Sequence, residues 1–202
     1  MLLVLFSIAY LLGSLPTAVW LGKWCYGKDL RDYGSGNAGA TNTFRSFGSK
    51  AGSLVLLVDA FKGYAAVQLL TIWLYPDAST ALKIGLGLTA VAGHIFPVLA
   101  QFRGGKGIAT LLGVVIALHP PAALLAVAVF MVSLFSFRIV SLSSILATFS
   151  FPLWLMFRFR ESETQLIAFS FLLILVVLVT HQKNIERLLN GSESRVRLKK
   201  KK

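Results

Sequence analysis

Apolar runs alternate with short polar stretches along the whole chain. A helix rises about 1.5 Å per residue, so about 20 apolar residues cross a hydrocarbon layer of about 30 Å. The pattern therefore predicts an all-α integral membrane protein with seven transmembrane helices. The predicted spans are residues 1–22, 53–75, 80–100, 108–118, 121–137, 140–157 and 164–180.

Two of these boundaries allow more than one interpretation. Residues 1–22 carry no charge and could pass for a signal peptide, but they lack a basic start and a convincing small-residue cleavage site. We interpret them as a retained first helix. The two prolines after His119 either separate two helices or kink a single helix over residues 108–137.

The distribution of Lys and Arg decides between two helices and one helix over residues 108–137. With seven spans and an outer N-terminus, sixteen of them lie on the inner side and three on the outer side, with Lys62 inside a span. A single span over 108–137 would move the eight basic residues of 181–202 outside, against the positive-inside rule. We therefore predict seven spans, a cytoplasmic C-terminus, cytoplasmic Gly-rich loops and an external turn at His119 and Pro120.

Composition supports the membrane class and excludes others. Hydrophobic residues make up 56% of the chain and charged residues 14%, too few polar groups to cover a soluble fold. The net charge of +12 does not indicate nucleic-acid binding, because the basic residues lie at the ends of apolar runs, where they meet lipid headgroups. A single cysteine, Cys25, excludes an internal disulfide, and no cluster of His, Cys and carboxylates predicts a metal.

The run at 108–118 has only 11 residues, about 16 Å of helix, which is short for a span. Either the preceding Gly-Gly-Lys-Gly backbone enters the membrane, or the bilayer thins locally. Irregular backbone at membrane depth is tolerated where it is buried in protein or lines a polar cavity. This suggests that the loop before residue 108 belongs to a site at the cytoplasmic membrane surface.

Three polar segments interrupt the apolar pattern: residues 34–45, 103–107 and 181–187, named here the first, second and third polar segments. Glycine exposes backbone N–H groups and Lys, Arg and His add positive charge, so the segments together favour phosphate-bearing ligands. In the first segment the candidate ligand-binding residues are Gly34, Ser35, Gly36, Asn37, Gly39, Thr41, Asn42 and Arg45. An ordinary connector closed by an N-capped helix remains the alternative.

In the second segment, Lys106 is a compact charge between glycines that a phosphate can approach closely. The alternative is anchoring at the membrane surface, and Arg103 is either such an anchor or a headgroup contact. In the third segment, His181 and Asn184 share a helical face if the last span continues through them. His181 could accept a proton, donate to a phosphate or be structural, and Asn184 could orient a hydroxyl.

Other polar residues fit structural interpretations better. We expect His94 to be structural and His119 to belong to a turn beside prolines. Asp59 and Lys62 lie three residues apart and predict a helix pair that could support the site.

Generic nucleotide motifs match residues 34–39 and 104–107, but their contexts fail. The first is a GxGxxG sequence without a buried strand before it, and the second fits the GxxG of a KH domain without its soluble fold. A Walker A loop would need glycine at the position of Ala100 and Ser or Thr at that of Gly107.

Taken together, the segments resemble the motifs of a known family. Residues 34–42 (GSGNAGATN), 93–107 (GHIFP running into FRGGKG) and 181–193 (HQKNIERLLNGSE) are similar to the three motifs of the bacterial acyl-phosphate-dependent glycerol-3-phosphate acyltransferases. The motifs follow in the same order over nearly the whole chain. Arg103 departs from the family, in which Lys is frequent, but it keeps the charge.

The resemblance implies a seven-helix inner-membrane enzyme with its site on the cytoplasmic side. Such an enzyme moves an acyl group from acyl phosphate to the 1-hydroxyl of glycerol 3-phosphate, giving lysophosphatidic acid and phosphate, an early step of phospholipid synthesis, without acyl-CoA, metal or cofactor. Residues 1–202 would form one transmembrane catalytic domain with a basic, flexible tail from about 195. The implied site residues are Ser35, Arg45, Lys106, His181 and Asn184, with substrate contacts from Gly36, Asn37, Thr41, Asn42, Arg103, Gly104, Gly105, Gly107 and Glu193.

A rival function is a membrane transporter or flippase for a phosphorylated small molecule or lipid, with the polar segments as a gate. Transporters often contain repeated halves and helices interrupted at mid-membrane. Here the polar segments gather at one predicted face and no clear repeat is present. The sequence leaves open whether His181 or the phosphate of the substrate, with a second pKa of about 6, accepts the proton.

Overall fold

The computed structural model describes residues 1–196, and the predicted basic tail lies mostly outside these described residues. They contain helices and no strands. The helices are α1 (Leu2–Ser14), α2 (Thr17–Tyr26), α3 (Ala40–Phe47), α4 (Ser49–Tyr64), α5 (Leu70–Leu74), α6 (Thr80–Ile95), α7 (Ile108–Leu118), α8 (Pro120–Phe137), α9 (Val140–Leu153), α10 (Thr164–Thr180) and α11 (Gln182–Leu189). The all-helical class predicted from the sequence is confirmed.

Four helical segments within residues 1–196 are long and apolar enough to cross a membrane: Ser49–Leu74, Thr80–Ala100, Pro120–Phe137 and Val140–Arg158. Two bent pairs, α1 with α2 and α10 with α11, raise the number to six if each pair is one span. Helix α7 is apolar but has only 11 residues, as its sequence indicates. The number of seven spans and the orientation of the termini remain predictions.

The first apolar run was predicted as one helix, but it forms two helices. Helix α1 ends at Ser14 and α2 begins at Thr17, with a bend of 41° between them. Proline lacks a backbone N–H and disfavours the helical region for the residue before it, and Leu15 is accordingly extended, with ψ of 110°. The break leaves backbone carbonyls of α1 without partners inside the helix.

The described residues form two compact units, one over Met1–His119 and one that begins at Pro120. In the first unit, α1 packs closely against α6 through glycines. A side chain at Gly13 would overlap the carbonyl oxygen of Ala90, and one at Gly93 would overlap that of Tyr10. Small residues allow helix backbones to approach this closely, which replaces the hydrophobic driving force that is weak inside a membrane. A hydrophobic core of Leu5, Ala9, Ala66, Leu70, Leu86 and Ala90 lies beside this contact.

Helices α4 and α7 meet in the same way, and this predicts a stability effect. A methyl group at Gly113 would overlap the carbonyl oxygen of Ala60, which is backbone and cannot rotate away. We expect Gly113→Ala to destabilise the protein by about 1–3 kcal/mol, the usual cost of overpacking, and to lower its apparent unfolding temperature in detergent. Gly85→Ala is the matched control, because its methyl group meets only the ring of Phe6, at 3.2 Å. Equal unfolding temperatures for the two variants would contradict this account of the α4–α7 contact.

In the second unit, α8 and α9 form a helical hairpin joined at Arg138, whose φ of 59° turns the chain. Helix α9 continues into a π-helical turn, Trp154–Arg158, just after Pro152. Such a turn is expected there, because proline removes a helical hydrogen bond and its ring crowds the preceding turn. Helix α10 packs against α9 and leads into the third polar segment.

Candidate active site

The first polar segment is shaped by the buried side chain of Asn42. Its Oδ1 accepts a hydrogen bond from the N–H of Ser35 at 2.9 Å, and its Nδ2 donates to the carbonyls of Tyr33 at 2.9 Å and Leu30 at 3.3 Å. Both amide hydrogens are thus used inside the protein. Asn42 was predicted as a substrate contact, but in this geometry it holds the loop in shape.

The exposed residues of this segment face solvent around that frame. Ser35, Gly36, Thr41 and Arg45 are exposed, and Asn37 is half-buried. Gly36 has a φ of 72°, a left-handed conformation that glycine adopts without strain. The guanidinium of Arg45 makes no hydrogen bond or ion pair within residues 1–196, so its planar fork is available to a phosphate.

A clamp fixes the chain just before this segment. Arg31 makes a bidentate pair with Asp29, with Nη2 to Oδ2 at 2.7 Å and Nε to Oδ1 at 3.0 Å, and its Nη1 donates to the carbonyl of Ala100 at 3.0 Å. Hydrogen bonds from Arg31 hold the pKa of the Asp29 carboxyl well below its usual range, because they favour the ionised form. The clamp ties the first segment to the chain that enters the second.

The second polar segment lies on the end of α6. The N–H of Gly104 donates to the carbonyl of Ile95, and the N–H of Gly105 donates to that of His94, both at 3.2 Å. A side chain at Gly104 would overlap the His94 carbonyl oxygen. Glycine is therefore required at these positions by packing onto α6.

This packing revises one expectation for the second segment. The backbone N–H groups of Gly104 and Gly105 already have partners, so they are not donors for a phosphate in this geometry. Lys106 is half-buried, and Gly107, with a φ of 79°, is the N-cap residue of α7. Arg103 is exposed, as an anchor or a headgroup contact would be. The ammonium of Lys106 is thus the main candidate of this segment for binding an anion.

The first and second segments touch each other. A methyl group at Gly105 would lie 3.0 Å from the carbonyl oxygen of Ala38, closer than ordinary packing allows. Together with the bond from Arg31 to Ala100, this contact brings two of the three predicted segments into one surface of the first unit. The third segment lies in the second unit.

The third segment begins at a bend of 68° between α10 and α11, so the last span does not continue straight through it. His181 stands at the bend, as the last residue before α11. Its Nδ1 lies 3.0 Å from the carbonyl oxygen of Val177, which can only accept a hydrogen bond. The proton of the neutral imidazole is therefore on Nδ1, which leaves Nε2 as the basic nitrogen. In this tautomer Nε2 can accept a proton, whereas donating a hydrogen bond to a phosphate requires the protonated imidazolium.

Glu193 organises the rest of this segment. Its Oε1 accepts hydrogen bonds from Ser141 Oγ at 2.7 Å and Asn184 Nδ2 at 2.5 Å, and its Oε2 accepts one from Arg187 Nε at 2.6 Å. Burial works to raise the pKa of Glu193, but these hydrogen bonds lower it below its ordinary value. The ionised network therefore stabilises the fold above the ordinary carboxyl pKa and is lost as the pH falls through the lowered one.

Sequence reasoning missed three members of these networks. Arg31 lies outside the polar segments as first defined, although its spacing of two from Asp29 suggests a local pair. Ser141 is 52 residues from Glu193, and only tertiary structure brings them together. Arg187 was noted as part of a motif but was not assigned a role; its distance of six residues from Glu193, across Gly191, allows a turn to join them.

Known proteins match nearly the whole chain, including the three polar segments. A family model described as "Glycerol-3-phosphate acyltransferase" matches residues 3–191. A glycerol-3-phosphate acyltransferase of Macrococcus caseolyticus is 40% identical over 197 residues, covering 98% of each chain. One of Chlorobium phaeobacteroides (strain DSM 266) is 37% identical over 227 residues, covering 97% of each chain.

Solved structures resemble the chain equally well. The crystal structure of PlsY (YgiH), an integral membrane glycerol 3-phosphate acyltransferase, in its glycerol 3-phosphate form, superposes with a TM-score of 0.88 at 38% identity. It matches over 97% of this chain and 96% of that one. The lysophosphatidic acid form gives a TM-score of 0.84 at 35% identity, with 97% and 95% covered. This chain belongs to the glycerol-3-phosphate acyltransferase family of integral membrane proteins.

Proposed function

We propose that this protein transfers a fatty acyl group from acyl phosphate to the 1-hydroxyl of glycerol 3-phosphate, giving lysophosphatidic acid and phosphate. The observation that carries this is the match over nearly the full chain to an acyltransferase solved with glycerol 3-phosphate. The donor class rests on the motif resemblance together with two cationic candidates, Arg45 and Lys106. Both substrates carry phosphate, so a site for this reaction needs more than one such cation.

The chemical step needs no covalent enzyme intermediate, because an acyl phosphate is already an activated anhydride. The 1-hydroxyl oxygen attacks the acyl carbonyl carbon and forms the new ester bond. The bond between that carbon and the bridging phosphate oxygen breaks, and inorganic phosphate leaves with its electron pair. The hydroxyl proton passes to His181 or to a phosphate oxygen, whose second pKa is about 6.

Positioning and charge stabilisation carry most of the catalysis in this proposal. Arg45 and Lys106 bind phosphate groups, and the Ser35 hydroxyl stabilises the oxyanion that forms on the acyl carbonyl. His181 and Asn184 act from the third segment. Additional substrate contacts come from Gly36, Asn37, Thr41, Arg103 and Gly107, whereas Gly104, Gly105, Asn42 and Glu193 hold the segments in place. That residues 1–202 form a single catalytic domain remains a prediction.

An oxygen-labelling experiment tests the proposed bond changes. Glycerol 3-phosphate carrying ¹⁸O at the 1-hydroxyl is incubated with the purified protein and palmitoyl phosphate. Attack at the acyl carbon places the label in the ester of lysophosphatidic acid and leaves the released phosphate unlabelled. A doubly phosphorylated glycerol would instead show attack at phosphorus and would overturn the proposal.

We also propose a multi-pass location in the cell inner membrane, with the site on the cytoplasmic side. The charge asymmetry of the sequence supports this orientation. It places the exposed Cys25, near the end of α2, on the inner side and the loop between α9 and α10 on the outer side.

A labelling measurement checks this topology. In intact cells, an impermeant maleimide should leave Cys25 unmodified, and permeabilisation should expose it. The matched control is Cys25→Ser combined with Ser162→Cys, whose cysteine should react in intact cells. Labelling of Cys25 from outside, with protection at position 162, would reverse the orientation.

A further inference from the structure

A cluster of polar side chains, three of them buried, lies in the first unit and has no role in the site described above. It consists of Thr17 at the start of α2, Asp59 and Lys62 in α4, and His94 in α6, and is named here the buried cluster. The last three are buried within helical segments apolar enough to cross a membrane. Ionisable groups at such positions are costly, so their presence indicates a function.

The Asp59–Lys62 pair fixes the break between α1 and α2. Lys62 Nζ lies 2.9 Å from Asp59 Oδ1 and donates to the carbonyl oxygen of Leu15 at 3.0 Å. Thr17 Oγ1 donates to Asp59 Oδ1 at 3.0 Å. The ammonium therefore satisfies a carbonyl at the Pro16 break, and the carboxylate offsets the charge of the ammonium.

His94 connects this pair to the second polar segment. Its Nδ1 faces Asp59 Oδ1 at 3.8 Å, and within residues 1–196 that nitrogen has no hydrogen-bond partner. A cavity of about 10 Å³ lies beside it, lined among others by Thr17, Lys62 and Gly104. This is room for about one water molecule, enough to bridge the imidazole and the carboxylate.

The other edge of His94 touches the second segment directly. Its Nε2 lies against Gly105, where a methyl group would overlap it, and its carbonyl oxygen accepts the Gly105 N–H at 3.2 Å. One residue therefore contacts the segment through both its side chain and its backbone, immediately before Lys106.

We propose that the buried cluster positions the second polar segment, so that the Lys106 ammonium meets a substrate phosphate. The Asp59–Lys62 pair orients the imidazole of His94. His94 in turn fixes the position of the Gly104 and Gly105 backbone on the end of α6. In this inference, which rests on the proposed function, His94 is a positioning residue and does not touch substrate. Its loss moves the lysine relative to the phosphate without removing any substrate contact.

The test compares two replacements of His94. His94→Leu removes both nitrogens, whereas His94→Gln keeps a polar side chain that is long enough to reach Gly105. We expect His94→Leu to raise the KM for glycerol 3-phosphate by about 10-fold with kcat within about threefold of the unmodified protein, and His94→Gln to stay within about threefold in both. His119→Leu, a histidine replacement at the far end of α7, should change neither constant.

A second arm removes the ion pair. Asp59→Asn alone would leave the Lys62 ammonium buried without its partner and would reduce the folded yield, so both charges are removed in Asp59→Asn with Lys62→Gln. This double variant should raise the same KM by about 10-fold, and adding His94→Leu should raise it little further, because residues acting through one network are not additive. Fully multiplicative effects would overturn the proposed chain of contacts.

Equilibrium binding separates this inference from the proposed function. Calorimetry of glycerol 3-phosphate with each purified variant gives a dissociation constant that needs no turnover. If the unmodified protein makes no lysophosphatidic acid, the proposed function fails. A larger dissociation constant in His94→Leu than in the unmodified protein would still support positioning. If His94→Leu lowers the unfolding temperature but leaves both the KM and the dissociation constant unchanged, its role is structural and the inference is overturned.

Discussion

Replacing Lys106 with alanine should lower kcat/KM for acyl transfer by about 10²–10³-fold, the range seen when one preorganised donor to a reacting group is lost. Lys106 is half-buried on a backbone that is hydrogen-bonded to α6, so its position is defined in the absence of substrate. Gly104 and Gly105 use their own N–H groups within the protein, so these two donors cannot replace the ammonium. Initial rates over a range of glycerol 3-phosphate concentrations measure the effect.

A matched lysine separates phosphate binding from membrane anchoring. Lys50 is exposed in the first turn of α4, on the same predicted cytoplasmic side. If Lys106 were only a positive-inside anchor, Lys50→Ala and Lys106→Ala would have similar, small effects. We expect near-normal turnover for Lys50→Ala. Both variants should give the same yield of folded protein as the unmodified chain. Near-normal turnover in Lys106→Ala would return this residue to the anchoring role.

His181→Gln should raise the KM for a phosphate-bearing substrate by about 10–100-fold, with a smaller change in kcat, if the imidazole completes the phosphate-binding set. Because Nδ1 lies against the Val177 carbonyl, this role falls to Nε2, which donates to a phosphate when the imidazole is protonated. The acidic limb of the pH–rate profile should persist, because the substrate's own phosphate still titrates near pH 6.

The opposite result would identify His181 as the general base. Loss of about 10²–10⁴-fold in turnover at unchanged substrate affinity, with the acidic limb gone, is the signature of that role. Asn184→Ala serves as a comparison on the same segment, because it removes a predicted substrate contact without removing a titrating group. Its pH profile should keep the shape found for the unmodified protein.

The length of the apolar runs was sufficient to predict the all-helical class, since runs long enough to cross a membrane leave few other folds. It did not locate the break at Pro16 in the first run, although proline and the extended residue before it provide a local reason for that break. The bend at His181 has no such marker, because no proline or glycine occurs in residues 176–186. Charges decided the predicted topology because the positive-inside rule depends on sequence position alone.

For the site, residue types were predicted better than their partners. The sequence indicated Lys106 and Arg45 as cations beside glycines, and the structure places Arg45 at the surface without a protein partner within residues 1–196. The sequence could not show that the Asn42 amide hydrogen-bonds to the loop backbone or that Gly105 packs on His94. Both contacts depend on how separate segments fold together, which no local pattern encodes.

Donor choice tests the central claim most directly. The purified protein is incubated with glycerol 3-phosphate and either palmitoyl phosphate or palmitoyl-CoA, with and without EDTA, and lysophosphatidic acid is quantified. Acyl transfer from acyl phosphate predicts product with palmitoyl phosphate at the same rate in EDTA, and none with palmitoyl-CoA, since no histidine here begins the H-x4-D motif of other acyltransferases. Turnover with palmitoyl-CoA alone, or glycerol 3-phosphate transport into sealed vesicles without product, would contradict it.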